Sequence, residues 1–462
     1  MKQWEYELLA RRNPSIRRHV VFLLVLLAFW QGVSCFGNLL AKTQATTSTV
    51  VAVPRQAQPL TTGALIIQNN SPFQIVTLRI STSRTPDLST FDSILLEVQR
   101  RAAEQTTVAL AHSAYNLVSE FRPYNWISAK PTEEVFDPVK LFNVYGYGLC
   151  DAAARALATI LWGLQIRAQV WDLRVHVVAE FFDGKHWQGL DPDMRVHAYV
   201  GTTSRTLPAR YYWGFRQKLQ PAEVSDPNMA QMLRKQLVSA LDQVTSPPQR
   251  AYWRPFSAHD AGLRLRPGEQ VIRYSDSRLG YYATLSTEPP PLYANAVFRW
   301  ERELPAEIPS DDDLDDMAIR SRFPFVIVGG TIHITSLEAG VPPPVPWVIT
   351  GNGDYERCPL ISTAENAFES SATYELPPAI IGRYDFTVRL CGEDLFSCNN
   401  LPRVRYEQTV ITQCSSSTFP AIPEGEGDEL VRVETSDNAL FDMTLLYRTG
   451  DDLPDDFSVL TE

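Results

Sequence analysis

The stretch from Gly148 to Asp193, GLCDAAARALATILWGLQIRAQVWDLRVHVVAEFFDGKHWQGLDPD, contains the signals that decide the fold of this chain. Its first part, CDAAARALATILWG, is rich in alanine and leucine, which are strong helix formers, and it ends at Gly163, a residue type that commonly terminates helices. The YGYG that precedes it gives the backbone the freedom for a tight turn into the helix. The sequence therefore predicts a helix with Cys150 at or just before its N-terminus.

A β-hairpin is predicted directly after this helix. RVHVVAEFF (174–182) alternates as a strand, the Asp-Gly dipeptide at 183–184 is a strong signal for a two-residue turn, and KHWQGLD (185–191) forms the returning strand. With this dipeptide as the turn, the numbers of directly opposed residues sum to 367, so His176 faces Asp191. Opposed residues share one face of the sheet and lie close enough for a carboxylate to bind an imidazole.

Cys150, His176 and Asp191 together have the chemistry of a nucleophilic enzyme. The partial positive charge of a helix N-terminus stabilises a thiolate, and the N–H groups there can face a developing oxyanion. A carboxylate on one imidazole nitrogen fixes the tautomer and leaves the other nitrogen to take the thiol proton. We expect Cys150 as nucleophile, His176 as general base and Asp191 as the residue that orients the histidine.

The same residues also have a plainer interpretation. Cys150 could be a small buried residue of an alanine-rich helix, with His176 and Asp191 as ordinary residues of a strand pair. His186 and His197 compete with His176, because a slip of one residue in register would turn a different face inward. Neither of them lies opposite a carboxylate in the simplest pairing, which favours His176.

Three ordered motifs resemble the core of the transglutaminase-like superfamily: a Gly-x-Cys that opens a helix, a histidine on a following strand, and Trp-x-x-Leu-Asp-Pro at 187–192. The resemblance covers residues 90–200. It implies a papain-related α+β fold and a triad of Cys150, His176 and Asp191. That superfamily includes amide-bond hydrolases, acyl transferases that join glutamine side chains to amines, and inactive members. This chain differs in having Val-Val after His176, where many relatives carry an aromatic residue.

The resemblance leads us to expect acyl transfer through a thioester. A peptidase or amidase with a protein or peptide substrate is favoured over a cross-linking transferase. The alternative is a cell-envelope scaffold that binds a partner, for example a polysaccharide, without cleaving it. The backbone N–H of Cys150 should form part of the oxyanion hole, and no cofactor or metal is expected. Four upstream residues are candidates for the second donor: Trp126, Asn143, Tyr145 and Tyr147.

The first 42 residues are predicted to lie outside the globular fold. Basic residues precede an apolar run, VVFLLVLLAFW from Val20 to Trp30, which continues with weak interruptions to Leu40. Such a run just spans a bilayer core of about 30 Å at ~1.5 Å per residue. We expect a cytoplasmic basic tail over 1–18, a transmembrane signal anchor over 19–41 and an exported remainder. A cleaved signal peptide and a buried helix are the alternatives.

Changes in composition and in the apolar pattern divide the predicted exported part into four regions. A linker over 42–62 precedes a transglutaminase-like domain over 63–215, with helices predicted from Ser89 and over 107–121. A connecting region over 216–322 contains an amphipathic helix at 226–244, and 323–462 alternates as short strands, which is typical of a β-sandwich. The predicted fold class is therefore α+β: a papain- or transglutaminase-like core of helices packed on an antiparallel sheet, followed by a β-sandwich-like region.

Charge and cysteine usage limit the partners. The net charge of −11, from 42 basic and 53 acidic residues, excludes a non-specific grip on nucleic acid. The run DDDLDD (311–316) lacks the glycine of a calcium loop and is read as a solvated linker. Export into an oxidising compartment favours disulfides. We expect Cys150 to stay free and two disulfides of open connectivity to form among four cysteines: Cys358, Cys391, Cys398 and Cys414.

Overall fold

The computed structural model describes fourteen segments of the chain: residues 47–54, 63–122, 134–199, 205–221, 227–255, 257–276, 279–282, 293–305, 318–349, 353–366, 368–391, 401–421, 426–435 and 441–447. The predicted basic tail and signal anchor lie outside these residues. Among the helices that are described, none is both long and apolar enough to cross a membrane.

Four helices of at least ten residues are present in the described segments: α1 (Phe91–Arg101), α2 (Thr107–Phe121), α3 (Cys150–Gly163) and α4 (Pro227–Asp242). A short α-helical turn (Pro138–Lys140) continues into a π-helical turn (Leu141–Tyr145) ahead of α3. The predictions for α2, α3 and α4 agree with these bounds to within two residues.

The start of α1 differs from the predicted Ser-x-x-Asp signal at Ser89. The N-cap is Thr90, whose Oγ1 accepts from the backbone N–H of Ser93, while the Ser93 hydroxyl accepts from the backbone N–H of Thr90. This reciprocal pair satisfies two backbone N–H groups at the start of the helix. Asp92 lies in the first turn, where its negative charge interacts favourably with the helix dipole.

All strand pairs are antiparallel. The strands are β1 (Thr47–Pro54), β2 (Gly63–Asn69), β3 (Val76–Ser81), β4 (Ala168–Asp172), β5 (Val177–Phe182), β6 (Trp187–Leu190), β7 (Val196–His197), β8 (Gln220–Pro221), β9 (Gln249–Ala251), β10 (Leu263–Leu265), β11 (Gln270–Tyr274), β12 (Tyr293–Leu304), β13 (Ile319–Arg322), β14 (Val326–Ser336), β15 (Val345–Ile349), β16 (Tyr355–Arg357), β17 (Leu360–Glu365), β18 (Ser370–Glu375), β19 (Asp385–Cys391), β20 (Val404–Ser415), β21 (Asp428–Thr435) and β22 (Phe441–Tyr447).

These strands form five sheets. The largest has the order β17-β18-β14-β20-β12-β11-β2-β22, three four-stranded sheets have the orders β1-β21-β3-β10, β13-β19-β15-β16 and β6-β5-β4-β9, and β7 pairs with β8. The protein is thus a mixed fold of a few helices and antiparallel sheets, as the α+β prediction required in its coarse form. The papain-like core stays a prediction.

The largest sheet takes strands from all three predicted exported regions. β2 belongs to residues 63–215, β11 and β12 to residues 216–322, and the remaining strands to residues 323–462. Long-range strand pairing therefore ties the first residues after the linker to the last quarter of the chain. The boundaries at 215 and 322 stay predictions, but they do not separate sheets.

One large hydrophobic core joins the helices to the sheets. α3 packs on β4 and β5 with its alanine-rich face, which allows a close approach because these side chains are small. Within the β region, Phe323 contacts Phe298 of the largest sheet and Phe386 of β19, with ring centroids at 5.0 and 6.0 Å, so these two sheets share a core.

A second, smaller core lies beneath the strands that carry the predicted site. Leu233, Leu237 and Leu241 of α4 occur every four residues on one face, and they pack with Val178 and Val196. Residues of the predicted connecting region therefore help to hold the hairpin in place.

The disulfide prediction is wrong in part. Cys391 is disulfide-bonded, whereas Cys358 and Cys414 are free, buried thiols. Cys414 lies in β20, opposite Ala294, and Cys358 lies just after β16. Tertiary structure places these two sulfurs in the hydrophobic core instead of next to a partner. Cys150 is free, as predicted.

Candidate active site

Cys150 is the first residue of α3 and is only half-buried. The N-cap residue, Leu149, has an extended backbone and makes no side-chain cap. The N–H of Ala152 is taken by the carboxylate of Asp151 at 2.8 Å, which leaves the N–H groups of Cys150 and Asp151 at the start of the helix. Just upstream, Gly146 has a φ of 66°, and a Cβ there would lie 2.2 Å from the hydroxyl of Ser415. Glycine is therefore required where the loop before the cysteine contacts the end of β20.

His176 lies at the tight turn between β4 and β5. The backbone N–H of Leu173 donates to the carbonyl of His176, which makes Arg174 and Val175 the two central residues of this turn. Arg174 has a φ of 77°, and its N–H donates to the carboxylate of Asp172. The turn brings His176 to the end of the two inner strands of the sheet, close to Cys150 at the start of α3.

The register predicted for the β5–β6 hairpin is wrong by two residues. Paired residue numbers sum to 369, as in Phe182 with Trp187. The central residues of the turn are Gly184 and Lys185, because the N–H of Asp183 donates to the carbonyl of His186. The Asp183 carboxylate accepts from the backbone N–H groups of Lys185 and His186, which fixes Asp183 before the turn, and Gly184 takes the φ of 101°.

The error leaves the predicted face unchanged. A shift of two residues preserves the alternation of a strand, so His176 and Asp191 still point to the same side. The chain turns over residues 192–195, directly after Asp191, and this turn brings Asp193 to the other side of the imidazole. Both carboxylates therefore reach the imidazole, at 2.8 Å from Nε2 to Asp191 and 3.9 Å from Nδ1 to Asp193.

The three predicted site residues come together in the structure. His176 and Asp191 are buried, and their hydrogen bond joins Nε2 to Oδ2. Sγ of Cys150, a ring nitrogen of His176 and a carboxylate oxygen of Asp193 all lie within 4.8 Å of one another. Because Asp191 occupies Nε2, Nδ1 is the nitrogen left to exchange a proton with the thiol.

Asp191 is held by the turn that follows it. Its Oδ1 accepts from the backbone N–H groups of Asp193 and Met194, at 3.2 and 3.0 Å, which leaves Oδ2 for the histidine. The hydroxyl of Ser119, near the end of α2, donates to the carbonyl of Pro192. The Asp-Pro-Asp-Met turn is thus fastened both to itself and to α2.

Two further residues of the site, Asp193 and Arg122, were missed in the sequence. Asp193 forms a fully buried ion pair with the guanidinium of Arg122, which also donates to the carbonyl of Gly148 at 3.0 Å. Arg122 thereby connects the histidine turn to the loop that precedes Cys150. Asp193 lies in the turn beyond the returning strand, so the hairpin pairing gave no signal for it, and no local pattern marks Arg122.

Electrostatics favour a charged imidazole. Burial alone lowers the pKa of His176, but the charge of Asp191, its hydrogen bond and the nearby Cys150 thiol outweigh burial and raise that pKa well above its usual value. Burial raises the pKa of Asp193, and the charges of Arg122 and His176 offset only part of this effect. The arrangement supports a charged imidazole beside the sulfur of Cys150.

The same cluster has the residue types of a metal site, since Cys150, His176 and Asp193 could each offer one ligand. A cation there would lie beside the buried guanidinium of Arg122, which already occupies one oxygen of Asp193, and Asp191 already binds the ring of His176. These existing partners fit a proton-transfer site better than a metal centre.

The competing residues are placed elsewhere. His186 is half-exposed at the hairpin turn, 3.9 Å from Asp183, and the side chain of His197 lies outside the described residues. Of the candidates for the second oxyanion donor, Asn143 donates to two backbone carbonyls and Tyr145 donates to Glu134. Tyr147 is buried with its hydroxyl unpartnered among the described residues, and Trp126 lies outside them.

The chain matches no protein-family model, no curated protein and no solved structure.

Proposed function

We propose that this protein is a cysteine hydrolase or acyltransferase of the transglutaminase-like type, which acts on amide bonds through a thioester. The observation that carries the proposal is the buried 2.8 Å bond from Asp191 to Nε2 of His176, with the thiol of Cys150 beside the same ring. A coincidental His–Asp pair would not need a half-exposed cysteine at a helix start beside the same ring.

In the first step, the Cys150 thiol gives its proton to Nδ1 of His176, and the thiolate attacks the amide carbonyl carbon. The carbonyl π electrons move to oxygen, and the backbone N–H of Cys150 stabilises the resulting oxyanion. When the tetrahedral intermediate collapses, the C–N bond breaks and His176 protonates the leaving amine. A thioester on Cys150 and a neutral imidazole remain.

In the second step, water or a primary amine attacks the thioester, and His176 takes a proton from that nucleophile. Collapse of this intermediate breaks the C–S bond and returns the thiolate, which the imidazolium stabilises. Asp191 stays ionised throughout and holds the ring in the tautomer that both steps need. Water gives an amidase or peptidase, which we favour, and an amine gives a transferase.

Tyr147 is our candidate for the second oxyanion donor. It lies three residues before Cys150, it is fully buried, and burial raises the pKa of its hydroxyl so that it remains a donor at neutral pH. Its hydroxyl has no partner among the described residues, and a buried unpaired hydroxyl costs stability that function can explain.

Site-resolved alkylation tests the proposal. The protein is treated with iodoacetamide at pH 6, and the modified cysteines are mapped by mass spectrometry. Cys150 should react first, while Cys358 and Cys414 serve as internal references, because burial raises the pKa of both thiols, to about 12 for Cys358. His176→Ala should slow the reaction of Cys150, whereas the same substitution at the exposed His186 should leave that rate unchanged. Equal rates in wild type and His176→Ala would remove the catalytic pair and favour the scaffold alternative.

The acceptor is tested next on the reactive protein. A glutamine-containing peptide is offered with and without a fluorescent primary amine, and ammonia release and amine incorporation are measured. Ammonia release without incorporation supports the hydrolase, and incorporation supports the transferase. Export, the membrane anchor and a polysaccharide partner stay predictions that these assays leave aside.

A further inference from the structure

A cavity of about 620 Å³ lies away from the triad, and arginines dominate its lining. Two arginines come from each side: Arg264 and Arg266 from β10 and the residue after it, and Arg320 and Arg322 from β13. Each pair has the spacing of two residues that puts side chains on one face of a strand. The lining carries two carboxylates, of Glu269 and Asp385, against four guanidinium groups, which leaves an excess of two positive charges.

One side of this cavity is rigidly built. Arg266 forms a bidentate ion pair with the buried Glu269, its guanidinium lies 3.9 Å from the centre of the Trp300 ring, and it donates to the hydroxyl of Ser321. Glu269 is therefore already occupied by Arg266. The second carboxylate of this lining is that of the exposed Asp385.

Two of the lining arginines, Arg264 and Arg322, are placed to bind a ligand. Both are exposed, and neither has a hydrogen-bond or ion-pair partner among the described residues. Both also line an adjoining cavity of about 220 Å³, so they stand between the two spaces. The nearby carboxylates are those of Asp385 in the larger cavity and Asp260 in the smaller one, and Asp260 already pairs with Arg79 at 3.8 Å. The two guanidinium groups are therefore only partly neutralised, and an anionic ligand would relieve the repulsion between them.

We propose that this cavity binds a small ligand with at least two anionic groups, carboxylate or phosphate. Guanidinium groups match both anions with paired N–H donors, and the volume is in the range of small-molecule sites. Ile75, Ile349 and Phe386 add apolar lining, which suits a ligand whose charges are mounted on a sugar ring or short carbon chain. A long polyanion is disfavoured, because the chain as a whole carries a charge of −11.

Calorimetric titration of the full chain at 50 mM salt tests the site with two probes, tripolyphosphate and a galacturonic acid trimer. We expect saturable binding of at least one probe with a stoichiometry of one. The ratio of the two affinities tells phosphate from carboxylate chemistry. The methyl ester of the trimer, which has the same rings without charge, should not bind.

Arg264→Gln and Arg322→Gln should each weaken binding at least tenfold, because each removes a charge-assisted contact. Arg432→Gln is the matched control: an exposed strand arginine that lines neither cavity, with affinity expected within twofold of wild type. Melting temperatures without ligand should be equal in all four proteins, which separates lost binding from lost folding.

Three results would overturn the proposal: no saturable binding of either probe, equal weakening in all three variants, or tighter binding of a single-stranded DNA dodecamer than of both probes. None of these results depends on Cys150, so this inference stands or falls separately from the proposed catalysis.

Discussion

Asp191→Asn is the substitution that most directly tests how the site works. The aspartate uses Oδ1 to accept from two backbone N–H groups and Oδ2 to bind Nε2 of His176. An asparagine has one acceptor and one donor in the same shape. The two backbone N–H groups will hold the amide oxygen, since turning it would leave them facing another donor, so the amide N–H₂ group will face Nε2.

That orientation inverts the tautomer of His176. Nε2 must then accept a hydrogen bond, so the proton of the neutral ring moves to Nδ1, the nitrogen that should take the thiol proton. In a serine protease triad the same change lowers kcat by about 10⁴, which is about 5 kcal/mol of activation free energy. Loss of the charge-assisted bond that supports the imidazolium costs about 1.5–3 kcal/mol. We therefore expect the alkylation of Cys150 at pH 6 to slow by about 10- to 150-fold.

Two measurements test the expected change of tautomer: the alkylation rate of Cys150 and the ¹⁵N chemical shifts of His176, which report its tautomer and charge. The pKa of His176 should fall in the variant, because the charge of Asp191 and its hydrogen bond both raise it in the wild type. Asp183→Asn is the matched control, since that carboxylate also accepts two backbone N–H groups on the same hairpin but does not contact His176. An alkylation rate in Asp191→Asn within threefold of wild type, with the fold intact, would refute the reasoning.

Three further predictions concern the surroundings of the triad. Arg122→Met should lower the free energy of unfolding by about 3–5 kcal/mol in urea denaturation, because it removes the hydrogen-bonded partner of the buried Asp193 and leaves only His176, at 3.9 Å. Combining it with Asp193→Leu should restore most of the loss, and a cost of the single variant below about 1 kcal/mol would contradict this. His176 should stabilise the fold fully below its unfolded-state pKa of about 6.5 and lose that contribution as pH rises through its raised folded-state pKa. The stability difference between wild type and His176→Gln should therefore shrink as pH rises, and a difference that grows would be inconsistent. Tyr147→Phe should leave the melting temperature unchanged or raise it, since the removed hydroxyl has no partner among the described residues. It should lower kcat by about 10²–10³-fold, as the loss of an oxyanion donor does, and an unchanged kcat would exclude Tyr147 from the oxyanion hole.

Local signals in the sequence were enough to predict the helix and the hairpin that position the three site residues. Alanine and leucine content predicted α3 with Cys150 at its start, and the alternation around the Asp-Gly dipeptide predicted the hairpin. The face shared by His176 and Asp191 was predictable although the register was not. Strand alternation has a period of two, so an even error in register leaves every side chain on its side.

The register was missed for a local reason: the side chain of Asp183 moved the turn by one residue, through hydrogen bonds that a dipeptide rule does not include. Only the tertiary structure decided the second carboxylate and the fate of the cysteines. Arg122 reaches Asp193 across 71 positions of sequence, and β2 pairs with β22 across nearly the whole described chain, so no local pattern reports either contact. Cys358 and Cys414 became buried thiols because the packing of distant strands sets which sulfurs meet. Helix propensity and strand alternation act between neighbours and can be read from the sequence, whereas ion pairs, disulfides and sheet order depend on the closure of long loops, which only the folded chain determines.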